Sequence, residues 1–128
     1  MIEIKTGAGI GQVLIADEVI AAIAGTAALE IDGVNGMGGG IAGGIAEALG
    51  RKNLAKGVNV QINGENAAID LDIVVKFDHK IQQVSTEVQK RVKIAVETMT
   101  GLTVSEVRVT VSGVTAGRDK AKSREAEV

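Results

Sequence analysis

The sequence predicts an α+β domain of two layers, with helices packed on one face of a mainly antiparallel sheet. Three observations carry this expectation. Apolar and polar residues alternate around residues 58–62, 69–77 and 107–111, which is the period of half-buried strands. Apolar residues recur at three- and four-residue steps from Ile81 to Met99, which is the period of an amphipathic helix. A chain of 128 residues, 45% hydrophobic and 23% charged, has the size and composition of one domain around one core.

Residues 1–10 are expected to form an N-terminal arm. The start, Met1-Ile2-Glu3-Ile4-Lys5, lacks the basic-then-apolar pattern of a secretory signal. The run Gln12 to Ala16 follows Gly9 and Gly11 and reads as a first strand. Asp17 is placed to cap a helix and Glu18 to favour the positive end of its dipole. That helix, Val19 to Leu29, is apolar or small on every side. In so small a domain a sheet covers only one side of it. The other side, with Val19, Ala22, Ile23 and Thr26, is either a self-association or partner surface or is wrapped by the loop that follows.

From Asp32 to Gly50 there are eight glycines in nineteen residues, a density that permits unusual backbone angles and raises the entropy cost of order. Gly36, Met37, Gly38, Gly39, Gly40, Gly43 and Gly44 are therefore expected in a mobile connection. Ile41, Ile45 and Leu49 recur at four-residue steps and predict a weak helix that stops near Gly50.

Val58, Val60 and Ile62 alternate with polar residues, Asn63-Gly64-Glu65-Asn66 turns the chain, and the return strand sets Ile69, Leu71, Ile73, Val75 and Phe77 on a dry face. Asp70, Asp72 and Lys76 fall on the wet face. After Asp78-His79, a helix carries Ile81, Val84, Val88, Val92, Ala95, Val96 and Met99 on one side and ends at Gly101. Val107, Val109 and Val111 mark the last strand, and residues 115–128 form a charged tail expected to be disordered. The single domain thus covers residues 11–114. Its order is strand, helix, glycine-rich connection with a short helix, hairpin, helix, strand, for which a ferredoxin-like split βαβ arrangement is the default topology.

Composition removes several function classes. Phe77 is the only aromatic residue, so base-stacking platforms for single-stranded nucleic acid are excluded. A net charge of −2 gives no global attraction to nucleic acid or an anionic bilayer. No cysteine is present, which excludes disulfides, thiolate nucleophiles and cysteine-ligated metals and fits a cytoplasmic location. The apolar run Val19 to Leu29 is about half the roughly 20 residues that span a bilayer.

The side chains that carry chemistry are sparse. His79 is the only histidine, so no triad or two-histidine metal site is available, and its place beside Asp78 at a helix start reads as a polar cap. Asp70 and Asp72 share a strand face and suit either a hard cation or plain solvation, with no third ligand nearby in sequence. The glycine cluster lacks the Gly-Lys-Ser/Thr of a phosphate loop and the preceding strand of a dinucleotide site. It reads as a lid or interface loop. Arg51, Lys52 and Lys56, joined by Lys90, Arg91 and Lys93, are a candidate basic patch. No catalytic residue, cofactor or metal is expected.

The run Gly11 to Val34 (GQVLIADEVIAAIAGTAALEIDGV), then Gly36-Met37, Gly50-Arg-Lys-Asn53, Lys56-Gly-Val-Asn-Val60, Met99-Thr-Gly-Leu102 and Val107-Arg-Val-Thr-Val-Ser-Gly-Val114, resembles the alkaline-shock protein family, the envelope stress response proteins. The resemblance spans Gly11 to Val114. It implies a non-enzymatic protein of Gram-positive-type bacteria, linked to cell-envelope homeostasis, lipid metabolism and stress, either cytoplasmic or held at the membrane by a separate anchor protein. It brings no catalytic residues. The expectation is an interaction or scaffold module that forms a homo-oligomer and docks on a membrane-anchored or lipid-metabolism protein. The alternative is a small-ligand or nucleotide-binding regulator with the glycine-rich connection as its lid.

Overall fold

The computed structural model describes residues 1–38 and 55–115. In chain order they form β1 (Ile2–Ile4), β2 (Val13–Ile15), α1 (Asp17–Leu29), β3 (Val34–Met37), β4 (Val58–Asn63), β5 (Asn66–Val75), α2 (Ile81–Thr100) and β6 (Thr103–Val114). The expected short helix near Ile41 and the tail beyond residue 115 lie outside the described residues. The architecture is a two-layer α+β fold.

The two layers meet on β5. Its odd-numbered side chains, Ala67, Ile69, Leu71, Ile73 and Val75, are at most 1% exposed and face both helices. Along α2, Val84, Val88, Val92 and Val96 repeat every fourth residue, so a single buried row lies over the sheet. From α1 come Ile20, Ala24, Ala27 and Ala28, whose small side chains let this helix settle close to the core.

The sheet is arranged around the same strand. β4 pairs antiparallel with β5 over Asn66 to Leu71, and β3 takes the same edge over Ile73 to Val75. β6 pairs parallel along the other edge, from Asn66 opposite Thr103 to Val75 opposite Val114. The topology thus departs from a split βαβ unit, because α2 returns the chain directly beside β5 with no strand between. Alternation alone locates strands and not their order; a 20-residue helix leaving one end of β5 is long enough to bring β6 back parallel to it.

Four expectations change in detail. The arm contains β1, which pairs with β2 and buries Ile2. Gly36 and Met37 do not lie in a mobile connection: they are part of β3, in register with Val74 and Ile73. Gly38 continues this order, giving its N–H to Asp72 O at 2.7 Å. A Cβ there would stand 2.5 Å from Asp72 Oδ1 and 2.7 Å from Ser112 Oγ, so any larger residue would push both side chains aside. Phe77 does not extend the dry face. β5 ends at Val75, the Phe77 N–H goes to Thr115 Oγ1, and Asp78 turns the chain at φ 74°, leaving the ring 57% exposed. Finally, α1 starts at Asp17 with Ala16 in the cap position, so Asp17 and Glu18 act on the dipole from the first turn rather than as a cap.

Gly101 closes α2 at φ 78°, the left-handed cap conformation, and its N–H reaches Glu97 O. The Glu97 carboxylate then fastens the start of β6. It accepts from Lys93 Nζ and from Val104 N–H, both at 2.8 Å. These two hydrogen bonds, with the Lys93 one the larger cause, hold the Glu97 carboxyl below its ordinary value.

A lowered folded-state pKa means that Glu97 contributes stability above its unfolded value and loses it as pH falls through the folded value. Glu97→Gln is therefore expected to flatten the fall in stability on acidification below about pH 5, as read from urea midpoints across pH. Gly38→Ala is expected to destabilise the fold by about 1–3 kcal/mol in urea unfolding, through the forced retreat of Asp72 and Ser112.

Candidate functional site

The outer surface of the helical layer holds an apolar groove between α1 and α2, with a volume of about 500 Å³. The pattern of α1 explains its near wall. Ile20, Ala21, Ala24, Gly25, Ala27 and Ala28 face inward, which leaves Val19, Ala22, Ile23 and Thr26 at helical spacing on the outer side. All four expected interface residues line this groove. Val19 is 47% exposed, Ala22 and Ile23 are half-buried, and Thr26 is exposed.

The far wall comes from α2. Arg91, Ala95 and Met99 follow one another at four-residue spacing, one position before the buried Val92 and Val96 and the buried Thr100. Met99 is 67% exposed. The sequence pattern placed Ala95 and Met99 on the apolar stripe of α2 without separating them from the valine row; only the row that meets β5 is sealed. A signal was present in the strict four-residue repeat of valine, from which Ala95 and Met99 are offset.

Charges mark the two ends of the groove. Glu18 opens α1 at one end, and Glu30, just past its last turn, meets Arg91 at the other, with Arg91 Nε donating to Glu30 Oε1 at 3.0 Å. Both partners are about half exposed, so the pair is worth at most about 1 kcal/mol and is free to exchange partners. The lining holds no histidine, no serine and no carboxylate beyond its rim. Such a surface buries apolar side chains and orients charge at its rims.

The other sequence candidates are not drawn together. Gly36, Met37 and Gly38 lie against β5, while Gly39, Gly40, Gly43 and Gly44 fall outside the described residues, as do Arg51 and Lys52. Lys56 is half-buried before β4. Arg91 pairs with Glu30, and Lys93 with Glu97 and Val104 O, each cation about half exposed. His79 packs beside Gly33, its Nδ1 3.4 Å from Phe77 O and its Nε2 3.9 Å from Asp32 Oδ2. Asp70 lies 3.8 Å from Arg108 Nε. Asp72 is less solvated than a wet strand face implies, since Gly38 packs on it and its Oδ1 is buried without a hydrogen-bond partner. Among the described residues, no three His, Cys, Asp or Glu side chains converge as metal ligands, and no helix is long and apolar enough to cross a membrane.

Comparison with known proteins gives a consistent picture. The model of the alkaline shock protein 23 family, described as of cell envelope-related function, matches residues 5–116. The uncharacterized protein YqhY of Bacillus subtilis (strain 168) is 39% identical over 105 residues, covering 82% of this chain and 78% of that protein. YloU of the same strain is 41% identical over 106 residues, covering 81% and 88%. A stress response regulator gls24 homolog of Streptococcus pyogenes serotype M3 (strain ATCC BAA-595 / MGAS315) is 34% identical over 102 residues, covering 79% of this chain and 57% of its own length.

The split of α2 into a sealed and an open row has a measurable consequence. Val92→Ala is expected to cost about 1–3 kcal/mol in urea unfolding, whereas Met99→Ala should stay within about 0.5 kcal/mol of the parent protein.

Proposed function

This chain belongs to the alkaline shock protein 23 family, of cell envelope-related function, and from that premise we propose that it is a non-enzymatic, cytoplasmic interaction module that self-associates through the groove between α1 and α2. The observation that carries this reading is the groove itself: an apolar strip on the outside of the helical layer, walled by Val19, Ala22, Ile23, Thr26 and Met99. Its occupant is α1 of a second copy. An antiparallel two-fold arrangement of α1 against α1 sets small residues, Ala22 and Thr26, at the crossing, where backbones approach closely. It also brings Glu18 of each copy to the end of the groove where Arg91 of the other stands, so opposite charges meet at both rims. Assembled in this way, the module presents its remaining surface to protein partners that act on the envelope and its lipids.

The ligand-regulator alternative requires the glycine-rich connection to close as a lid. Gly36, Met37 and Gly38, which would start that lid, are held against β5 and Asp72.

Ala22→Glu places a charge at the centre of the groove and is expected to lower the assembly mass in light scattering, with unchanged far-UV circular dichroism. Arg91→Glu should act in the same direction, and its combination with Glu18→Arg should recover part of the mass. Wild-type protein that scatters as a monomer at high concentration would remove the groove as a self-interface.

A further inference from the structure

The outer edge of β6 carries a second contact, independent of the helical groove. The Asp72 N–H goes to Gly57 O, and its carbonyl accepts from Gly38 N–H. Even-numbered residues of β5 therefore address β3 and β4, and odd-numbered residues address β6. In the parallel ladder Ile69 stands beside Val107, Leu71 beside Val109 and Ile73 beside Val111. Glu106, Arg108 and Thr110 then complete the bonds to β5, and Val107, Val109 and Val111 aim their N–H and C=O away from the sheet.

The first part of this edge is closed by α2. Glu97 takes the Val104 N–H, Lys93 donates to Val104 O at 3.1 Å, and Gln89 Nε2 donates to Val107 O at 3.0 Å. Beyond Val107 this protection stops. Among the described residues, nothing pairs with the outward groups of Val109 and Val111. Their side chains face the helical layer only half-buried, so an apolar row is left open beside an unpaired backbone. Open edges of this kind recruit another strand.

We propose that this edge pairs with the same edge of a second copy, antiparallel and centred on Thr110, so that two sheets continue as one. Only odd residues offer outward groups, so odd must face odd. Centring on Val107 or Val109 would need the Val107 carbonyl that Gln89 already holds. Centring on Arg108 sets Arg108 against Arg108, a like-charge pair across the strands. Centring on Thr110 sets Val109 against Val111 of the second copy and Val111 against its Val109, for about four backbone hydrogen bonds. On the polar face Thr110 then meets Thr110, and Arg108 meets Ser112. Valine continues valine on the helix side, polar residues continue polar ones on the other, and no like charges are opposed. This self-match selects a second copy over an unrelated peptide.

Disulfide trapping tests the register, because the chain has no cysteine of its own. Directly opposed residues across such a pair have Cβ atoms about 5 Å apart, whereas Ser112 and Ser112 of the second copy would be about 14 Å apart. Under mild oxidation Thr110→Cys is expected to give a covalent dimer about tenfold more readily than Ser112→Cys. The difference should persist in an Ala22→Glu background, which separates this contact from the groove. Equal trapping at the two positions, or none with Thr110→Cys, would overturn the proposal, and the latter is the outcome if another segment covers the edge. Thr110→Lys, which sets like charges across the two-fold axis while facing Asp70 and Asp72 of its own sheet, should weaken association in sedimentation with the fold intact. Unchanged association in that variant would also overturn it.

Discussion

One strand holds the molecule together. β5 is bonded along both edges, its even residues to β3 and β4 and its odd residues to β6, and its odd side chains form the buried floor on which both helices rest. A strand that is satisfied on both edges and sealed on one face tolerates no slip in register, because a shift of one residue would carry Ile69, Leu71 and Ile73 to the polar face and Asp70 and Asp72 into the core. The rest of the fold answers to this constraint. The row of valines on α2 has its four-residue repeat because it must follow one line across β5, and Gly38 passes so close to Asp72 that a side chain there would displace its carboxyl.

The helical layer inherits its outer surface from what remains. α1 is built from alanine and isoleucine with few polar side chains, so burying one side against β5 and α2 leaves an equally apolar side exposed. α2 is amphipathic, yet its apolar stripe is wider than the row the sheet can cover, and Ala95 and Met99 spill over toward α1. Two incomplete coverings side by side make the groove. Its chemistry is that of contact: apolar walls, small residues at the centre and exchangeable charge at the rims. This agrees with a family described by cell envelope-related function and with relatives named for stress response.

The two ends of β6 are treated differently, and the cause is local. α2 runs antiparallel to β6 and delivers Glu97, Lys93 and Gln89 in succession to the strand's first half, where their side chains stand in for a neighbouring strand. Farther along, the helix offers no further side chain to the edge among the described residues, and the outward groups of Val109 and Val111 are left without a partner. The packing that buries one face of α2 thus leaves the second half of the β6 edge open, because the α2 side chains bonded to that edge end at Gln89.

Much of this was legible in the residues alone. The period of two in residues 58–62 and 69–75, the period near 3.6 from Ile81, the turn at Gly64 and the cap at Gly101 are local signals, and each appears where the sequence set it because backbone geometry and side-chain direction are decided within a few residues. The apolar outer side of α1, with Val19, Ala22, Ile23 and Thr26, was visible for the same reason. What the sequence could not carry was anything that depends on which elements meet. The density of glycine suggested mobility at Gly36 to Gly38, but pairing with β5 overrides local permissiveness there. Alternation carried Phe77 onto the dry face, but β5 ends before it once the turn at Asp78 is made. Met99 joined the groove only when α1 was laid beside α2, and β6 became the parallel neighbour of β5 only when α2 had crossed back over the sheet. Local chemistry determines which segments become helix or strand and which of their sides are apolar; the order of strands, the wall shared by two helices and the edge left open are decided by long-range contacts, whose free energy no single segment contains.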